Sequence, residues 1–268
     1  MILDPVSPRA ALNLSDDAAD PPSDLPKGEE VERKLEKATG RLGALQSALY
    51  ADGRYAVLVV LQGRDASGKD GVVRTVFDAC NPQGVRVHSF KAPSAHELAH
   101  DFLWRVHHVV PERGMIGIFN RSHYEDVLVV RVHELVPKDV WSKRYDQINE
   151  FERILTESGV VILKFFLHIS RDEQTKRLVE RIEDPTKNWK FKAGDLDERK
   201  LWDKYSAAYK DALRKCSTPW APWYLVPANR NKARNYLIAR RIVATLDGLG
   251  LEYPQPKTDL REYLKVLE

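Results

Sequence analysis

The run Gly63-Arg64-Asp65-Ala66-Ser67-Gly68-Lys69-Asp70-Gly71 follows an apolar segment at residues 56–61, one residue later, and leads into a segment with helical periodicity. A strand, a glycine-bearing loop with a lysine, and then a helix is the order that a phosphate-binding loop (P-loop) requires. Backbone N–H groups of such a loop and of the helix N-terminus surround an anion, and Lys69, predicted to be catalytic, adds a positive charge. The alternative, that Gly63 and Gly68 only form a turn, is weaker because a chance match would rarely fall at a strand-to-helix junction.

Two aspartates set this run apart from an ordinary P-loop. Asp70 occupies the position after the lysine, where Ser or Thr usually binds Mg²⁺. Asp65 lies inside the loop, where its charge would repel phosphate unless a cation lay between them. We therefore predict that Asp65 is a Mg²⁺ ligand or the base that activates the acceptor, with a turn-forming role as the alternative. The loop residues predicted to bind the ligand are Gly63, Arg64, Ala66, Ser67, Gly68 and Asp70.

Polar residues also follow the third apolar segment, residues 115–119, in the run Asn120-Arg121-Ser122-His123-Tyr124-Glu125-Asp126. Ligands of open α/β sheets gather at the carboxyl ends of the strands. Arg121 is suited to neutralising a transferred phosphoryl group, and Asp126 or Glu125 to holding Mg²⁺ through carboxylate oxygens. The alternative is that both acids decorate the first turn of a helix, where the helix dipole favours negative charge.

A basic stretch follows the fourth apolar segment and contains Lys176, Arg177, Arg181, Lys187, Lys190 and Lys192. Arg177 and Arg181 stand four residues apart and share one helix face, where they repel each other unless an anion joins them. Residues 185–194 read Pro-Thr-Lys-Asn-Trp-Lys-Phe-Lys-Ala-Gly, which is typical of a flap that closes over phosphates and excludes water. We predict a helical lid around residues 171–200, in which both arginines are catalytic and Lys187 and Lys190 bind ligand. A solvated charged helix is the alternative.

Five short apolar segments alternate with segments of helical periodicity, as expected for a parallel sheet covered by helices on both faces. The predicted strands are residues 56–61, 85–90, 115–119, 160–169 and 223–226. The predicted helices are residues 29–51, 68–79, 95–109, 172–182, 198–215 and 232–246. The fold class is therefore α/β, a single three-layer α/β/α P-loop domain over residues 29–268 with a five-stranded parallel sheet. The proline-rich residues 1–28 are predicted to form an extended arm rather than part of the core.

Composition limits the classes of partner and compartment. The chain of 268 residues has 43% hydrophobic and 30% charged residues, which is ordinary for a globular domain. Its formal net charge of +3 gives no reason to expect nucleic acid or a membrane as a partner. We see no signal peptide and no run of ~18 apolar residues, so we expect no membrane span. Because Cys80 and Cys216 are too few for a disulfide framework, we expect a reduced compartment, the cytoplasm.

From residue 31 to residue 249 the chain resembles the family-2 polyphosphate kinases. The likeness rests on the P-loop run, Asn120-Arg121-Ser122, the two arginines and the flap, and Pro219-Trp220-Ala221-Pro222-Trp223. The aspartate-containing loop followed by Lys-Asp-Gly is the most distinctive part. The resemblance implies a thymidylate-kinase-like fold and a tunnel that threads polyphosphate towards the P-loop. It also implies a phosphotransferase with a phosphate-group acceptor: reversible, Mg²⁺-dependent transfer (or with Mn²⁺) of the terminal phosphoryl group of polyphosphate to AMP and ADP, giving ADP and ATP.

The same resemblance implies roles for particular residues. It assigns phosphate and metal handling to Asp65 and Lys69, and phosphate binding to the three predicted catalytic arginines. Family members often carry Asp where this chain has Asn120, so the second metal carboxylate is open and Asp126 is our candidate; Asn120 and Glu125 are expected to bind ligand. The run at residues 122–126 resembles the subgroup that phosphorylates both AMP and ADP, whereas one-nucleotide subgroups typically show Ser-Trp-Tyr-Asn. The expected partners are polyphosphate, AMP, ADP and ATP, and we expect a homo-oligomer.

Two other functions use the same loop. An ATP-dependent nucleoside monophosphate kinase is the first alternative, but Asp70 in place of Ser or Thr and the many cations of residues 177–192 argue against it. A non-catalytic nucleotide-binding module is the second, and the presence of both Lys69 and Asp65 argues against that.

A third alternative lies outside the loop. His96-Glu97-Leu98-Ala99-His100 matches the His-Glu-x-x-His signature of zinc metallohydrolases. However, Leu103 and Val106 stand where the longer signature has glycine and histidine. A solvent-facing helix capped by Ser94 is the better interpretation.

Overall fold

The structure is a computed structural model that describes residues 2–8 and 11–267. The predicted arm and domain also include Met1, Arg9, Ala10 and Glu268, which lie outside the described residues. The strands are β1 (Ala56–Gln62), β2 (Val85–Ser89), β3 (Ile116–Asn120), β4 (Val160–His168) and β5 (Trp223–Pro227). All pair in parallel, in the order β2-β3-β1-β4-β5. The predicted five-stranded parallel sheet is therefore confirmed.

Strand β1 is the centre of the sheet and is buried along its whole length. Successive side chains of a strand point to opposite faces. Those of β1 divide between two hydrophobic cores, Val57, Val59 and Leu61 in one and Ala56, Leu58 and Val60 in the other. A strand buried on both faces needs the continuous apolar run that the sequence shows. Because β1 lies between β3 and β4, the strand order reverses here, and the carboxyl end of β1 opens into the crevice where such folds bind ligands.

Helices cover both faces of the sheet. The core of Val57 is closed by α1 (Gly28–Asp52), α2 (Lys69–Val76) and α11 (Asn231–Asp247). The opposite core is closed chiefly by α5 (Val129–Val132), α7 (Arg144–Glu157) and α10 (Trp202–Lys215). The remaining helices are α3 (Ala95–Leu98), α4 (Trp104–His107), α6 (Lys138–Trp141), α8 (Arg171–Glu183), α9 (Gly194–Lys200) and α12 (Arg261–Leu267). Within the described ranges, no helix combines the length and apolarity needed to cross a membrane.

Two of the predicted helices are broken in the structure. The helix predicted at residues 95–109 is divided into α3 and α4. Between them the Asp101 carboxylate accepts a hydrogen bond from the Leu103 N–H (2.9 Å), and such local bonds compete with the helical ones. The helix predicted at residues 198–215 is interrupted at Leu201, which separates α9 from α10. Helix α7 lies between the predicted segments and was not predicted.

The N-terminal arm is mostly extended, but the expectation that it stays out of the core is wrong. Leu3, Val6, Ala19 and Leu25 are buried, and three of these belong to the two cores. The Val6 N–H donates to the carbonyl of Trp223 (2.7 Å) at the edge strand β5. The arm thus covers one edge of the sheet, because its apolar residues find there a surface that the helices leave open.

Candidate active site

A cavity of about 1210 Å³ opens at the carboxyl ends of β1 and β3. It is lined by the P-loop, by the segment that follows β3, by residues 89–105, and by the lid residues from 174 to 199. The two sequence regions predicted to bind phosphate and metal therefore meet in one cavity. This is the edge of the sheet at which an open α/β fold gathers its ligands.

The P-loop turns tightly, and two glycines make the turn feasible. Gly63 has φ 155° and Gly68 has φ 97°, a region that glycine enters without steric cost. A Cβ atom at Gly63 would lie 2.7 Å from the Leu167 carbonyl oxygen, and one at Gly68 would lie 2.0 Å from a guanidinium nitrogen of Arg234. Ala66, between them, also has a positive φ of 62°. Successive N–H groups in such a conformation form a concave site for an anion.

Lys69 folds back over this loop. Its ammonium donates hydrogen bonds to the carbonyls of Gly63 (2.7 Å) and Arg64 (3.2 Å). The residue is only 8% exposed, and burial lowers the pKa of Lys69 to about 8. A buried ammonium that is bonded to neutral oxygens gains strongly from an anion beside it.

Arg121 joins two acidic side chains across the cavity. It has a φ of 60°, which costs about 1–3 kcal/mol for a residue with a side chain and is typical of functional sites. Its guanidinium donates to Asp65 (2.6 Å) and to Glu125 (3.2 Å), and the negative charge of Glu125 raises the pKa of Arg121. The arginine thus occupies a position between carboxylates that a metal ion could also neutralise.

Asn120 stands where an aspartate was expected, and the structure shows which residue it contacts. Its amide donates a hydrogen bond to the Asp70 carboxylate (2.7 Å), and both residues line the cavity. An aspartate at position 120 would instead place a second negative charge against Asp70. The sequence features that distinguish this P-loop, Asp70 and Asn120, are therefore one interacting pair.

The oxygen donors of the cavity suit a hard cation such as Mg²⁺. Asp65, Asp70 and Glu125 supply carboxylates and Asn120 supplies an amide oxygen. In the part of the chain that is described, no three acidic, histidine or cysteine side chains are close enough to hold a metal ion by themselves. Mg²⁺ usually binds through one or two carboxylates together with water and substrate phosphates.

Asp126, the predicted second metal ligand, is held by an arginine. Its carboxylate lines the cavity but accepts a hydrogen bond from Arg144 of α7 (2.8 Å). Burial raises the pKa of Asp126 to about 6. Glu125, not Asp126, is the acid that Arg121 connects to Asp65. Both acids lie in a 3-10 helix, His123–Asp126, whose tight winding sends adjacent side chains in different directions.

The lid consists of α8, a 3-10 turn at Asn188–Lys190, and α9. Arg181 lines the cavity and donates hydrogen bonds to Asp195 (3.1 Å) and to the Lys190 carbonyl (3.4 Å). Trp189, Lys190 and Lys192 also line the cavity. Lys187 does not; its ammonium pairs with Glu180 (2.5 Å) and Asp184 (2.9 Å) on the outer surface.

Known proteins share this architecture. The family model described as Polyphosphate kinase 2 (PPK2) matches residues 26–252. The chain belongs to this family. Its function as a polyphosphate-dependent nucleotide phosphotransferase, predicted from the sequence, is confirmed with it.

Relatives and solved structures agree with the family. The chain is 60% identical to the AMP/ADP-polyphosphate phosphotransferase of Meiothermus ruber, over 81% of this chain and 82% of the relative. It is 47% identical to the ADP-polyphosphate phosphotransferase of Rhodopseudomonas palustris, over 88% of this chain and 86% of the relative. The crystal structure of Polyphosphate Kinase 2 from Arthrobacter aurescens TC1 superposes with a TM-score of 0.93 at 38% identity, covering 99% of this chain and 98% of that one. The predicted P-loop kinase fold is confirmed.

Two of the predicted arginines of this polyphosphate kinase are held by contacts within the protein. Arg177 was predicted to bind phosphate beside Arg181, but it does not line the cavity. It donates instead to the carbonyls of Ala66 (3.0 Å), Ala228 (2.7 Å) and Asn229 (3.0 Å). Arg64 of the P-loop stacks on Trp202 at 3.9 Å and donates to Ser206 (2.6 Å). Its guanidinium anchors the loop to α10, and the residue also lines the cavity.

The His-Glu-x-x-His run does not form a zinc site. Helix α3 ends at Leu98, before His100. Ser94 and Glu97 form a capping box, in which each side chain accepts a hydrogen bond from the other residue's backbone N–H (3.2 and 2.6 Å). The Glu97 carboxylate is therefore engaged in helix capping, as the predicted role of Ser94 requires, and the zinc alternative loses its general base.

A buried charge network was missed by the sequence reasoning. Lys164 of β4 and Glu152 of α7, both fully buried, form an ion pair at 2.5 Å. Tyr124 donates to Glu152 (2.8 Å) and accepts from Lys164 (2.8 Å), while His123 contacts Glu152 at 3.2 Å. His123 and Tyr124 thus hold the turn that carries Arg121 and do not face the cavity. The signal was present, since Lys164 is a lone charge inside an otherwise apolar strand.

Proposed function

We propose that this chain transfers the terminal phosphoryl group of polyphosphate to AMP and to ADP, reversibly and with Mg²⁺ or Mn²⁺. The observation that carries the proposal is the meeting of three features in one cavity: the P-loop with Lys69, the Asp65–Arg121–Glu125 cluster, and a cationic lid. The Meiothermus ruber relative, named for both nucleotides, supports the choice of acceptors. The run at residues 122–126 supports it as well.

The two sides of the cavity differ in chemistry, and we assign a substrate to each. The lid side carries Arg181, Lys190, Lys192 and Arg199. Closely spaced cations favour polyphosphate, which has about one negative charge per phosphate. The opposite side is apolar and suits a nucleoside; it is formed by Phe102, Val129, Val130, Leu135 and Val136. Arg144, held by Asp126 beside this apolar side, is placed to meet the acceptor phosphate.

The protein residues then have distinct tasks at the reacting phosphate. Phosphoryl transfer is catalysed mainly by positioning and by stabilising charge. Loop N–H groups and Lys69 hold the phosphoryl oxygens. Arg121, which contacts both Asp65 and Glu125, would turn to the phosphate, and Asp65 would then hold the metal together with Glu125. The metal ion, when bound, neutralises the charge that both polyanions bring together.

The test uses purified protein, Mg²⁺, polyphosphate and AMP. ADP should appear first and ATP later, and the Lys69→Met variant is the matched control for contaminating activity. In a parallel reaction ATP replaces polyphosphate as the donor. Phosphorylation of AMP by ATP but not by polyphosphate would establish the alternative, a nucleoside monophosphate kinase, and reject this proposal.

We propose a cytoplasmic homo-oligomer. Cys80 and Cys216 are both buried, unpaired thiols, which supports a reducing compartment and hence the cytoplasm. A homo-oligomer would cover exposed apolar side chains of α12, where Val266 and Leu267 are 81% and 83% exposed. Measuring the molecular mass of the protein in solution tests whether it forms a homo-oligomer.

A further inference from the structure

The carbonyl oxygens of the P-loop residues 63–67 all accept hydrogen bonds from side chains. The donors are Lys69 for Gly63 (2.7 Å) and Arg64 (3.2 Å), Gln174 for Asp65 (2.9 Å), Arg177 for Ala66 (3.0 Å) and Arg234 for Ser67 (3.2 Å). Arg177 and Arg234 do not line the cavity. The carbonyls that they bind are therefore turned towards the protein interior.

The direction of a carbonyl decides the direction of the next N–H group. In a planar trans peptide the two point to opposite sides. A Ser67 carbonyl held on the interior side therefore turns the N–H of Gly68 towards the cavity, which Gly68 lines. The N–H groups of the first turn of α2 follow directly, and they lack acceptors within their own helix. Arg234 thus fixes the peptide that begins the anion-binding end of α2.

Arg234 lies on α11, is 1% exposed, and carries an unbalanced charge. Besides Ser67, its guanidinium donates to the side-chain oxygens of Asn231 (2.6 Å) and Asn235 (2.9 and 3.1 Å). These partners are all neutral, and burial lowers the pKa of Arg234. Taking such a charge out of water without an opposite charge is unfavourable.

The glycines of the loop make room for this arginine. A Cβ atom would lie 2.0 Å from its guanidinium at Gly68 and 3.1 Å from it at Gly71. Gly71 follows the lysine and aspartate of the loop. Glycine suits this position because a side chain there would press on the guanidinium of Arg234. The motif and Arg234 are parts of one arrangement, although 166 positions separate Gly68 from Arg234 (234 − 68).

We propose that Arg234 is a positioning residue for phosphoryl transfer: it orients the Ser67–Gly68 peptide towards the bound phosphate, and that phosphate balances its buried charge. Arg177 orients the preceding peptide at Ala66 through its bond to that carbonyl (3.0 Å), but its charge is already paired with Glu173 (2.8 Å). The proposal deepens the proposed function and rests on it for the identity of the phosphate. Because the guanidinium is buried behind the loop, where screening by water is weak, its attraction for the phosphate is stronger than that of a surface charge.

Two variants separate the charge of Arg234 from its geometry. Arg234→Gln removes the charge and keeps a hydrogen-bond donor, whereas Arg234→Lys keeps the charge and loses the forked donor geometry. Arg241→Gln is the matched control, since Arg241 lies on the same helix but its guanidinium stacks on Tyr224 at 5.0 Å and bonds Thr245. For each protein, kcat, the KM for polyphosphate and the Tm are measured, the last with and without tripolyphosphate.

We expect Arg234→Gln to lower kcat by about 10- to 100-fold, somewhat less than the loss of a donor that touches the reacting oxygen. Its Tm without ligand should be unchanged or higher, while the rise in Tm on adding tripolyphosphate should shrink. Arg234→Lys should keep more of the wild-type kcat and more of the rise in Tm with tripolyphosphate. Arg241→Gln should keep nearly all of both.

The proposal is overturned if Arg234→Gln keeps the wild-type kcat and the wild-type response to tripolyphosphate. It is also overturned if Arg234→Gln loses activity only in step with a lower Tm and Arg234→Lys recovers nothing. Should Arg234→Gln fail to fold, the comparison of Arg234→Lys with the wild type decides on the same readouts. A wild type that is stabilised by tripolyphosphate but phosphorylates neither AMP nor ADP would reject the proposed function, while the thermal shifts would still test Arg234.

Discussion

Replacing Lys69 with methionine should remove activity without weakening the fold. Methionine has a similar length and fills the space of the buried lysine stem without its charge. The variant loses the ammonium that donates to the Gly63 and Arg64 carbonyls and that would meet the transferred phosphoryl group. Because this charge acts on the transition state, we expect kcat to fall on the order of 10³-fold.

The effect on stability follows from the pKa of Lys69. A pKa lowered from 10.5 to about 8 corresponds to about 3 kcal/mol of unfavourable free energy for the charged form in the folded protein. The lost hydrogen bonds to two carbonyls offset about 2 kcal/mol of this. The variant should therefore be about 1 kcal/mol more stable at pH 7, which is a rise in Tm of roughly 2–4 °C for a chain of this size.

This gain should depend on pH. Between pH 8 and 10.5 the folded wild type binds fewer protons than its unfolded chain, because the folded-state pKa of Lys69 is the lower one. Wild-type stability therefore rises relative to the variant across this window, so the advantage of Lys69→Met is full below pH 8, is lost by about pH 9 and is reversed towards pH 10.5.

The assay is thermal unfolding of both proteins from pH 6.5 to pH 10.5, together with steady-state phosphorylation of AMP. A variant that melts more than about 5 °C below the wild type at pH 7 would show that Lys69 supports the fold. Equal turnover in the two proteins would remove Lys69 from the chemistry, and with it the central assumption about the P-loop.

Four other changes test the remaining parts of the site. Asp65→Asn should lower turnover by orders of magnitude with Tm retained, because the proposed metal ligand of the chemical step is removed. Excess EDTA should abolish activity and Mg²⁺ or Mn²⁺ should restore it, since carboxylate and phosphate oxygens suit hard cations. kcat/KM should fall below about pH 6, because the raised pKa of Asp126, about 6, lets it protonate there and lose its charge beside Arg144. Arg181→Ala should raise the KM for polyphosphate more than that for AMP, with a weaker dependence on salt than the wild type, because Arg181 lines the cavity.

Each of these has its own control. Full activity in EDTA, or wild-type turnover in a folded Asp65→Asn variant, would exclude a metal ion at Asp65. In Asp126→Asn, kcat/KM should fall less steeply below pH 6 with the same substrates. An unchanged fall would mean that the substrate phosphates, and not Asp126, titrate there. For Arg181, the control is Arg177→Ala, which should change the KM for polyphosphate and for AMP alike because Arg177 contacts loop carbonyls. If the two variants raised the KM for polyphosphate equally, the assignment of Arg181 to polyphosphate binding would be contradicted.

Features that depend on neighbouring residues were readable in the sequence. The strands β1, β3, β4 and β5 were predicted because each is a short, largely apolar run, and burial between two layers of helices demands that composition, whereas the edge strand β2 reads Val-Arg-Val-His-Ser and is nowhere fully buried. The P-loop was recognised because its glycines, lysine and helix start lie within nine residues. Helix α1 was predicted at residues 29–51 and observed at Gly28–Asp52, since one broad apolar face at helical spacing is enough to define it.

The tertiary structure decided which side chains meet. Spacing placed Arg177 and Arg181 on one helix face. However, the hydrogen bond from Arg177 to the Ala66 carbonyl joins residues 111 positions apart, and no local sequence pattern could predict that bond. That Arg121 connects Asp65 to Glu125 and not to Asp126 depends on a 3-10 turn and on Arg144 from a helix that was not predicted. Arg234 is the strongest case, since its partner Ser67 lies 167 positions away. Local periodicity reports whether a residue faces the core or the solvent, whereas hydrogen bonds between distant elements depend on how the layers pack, which the sequence determines only through the whole fold.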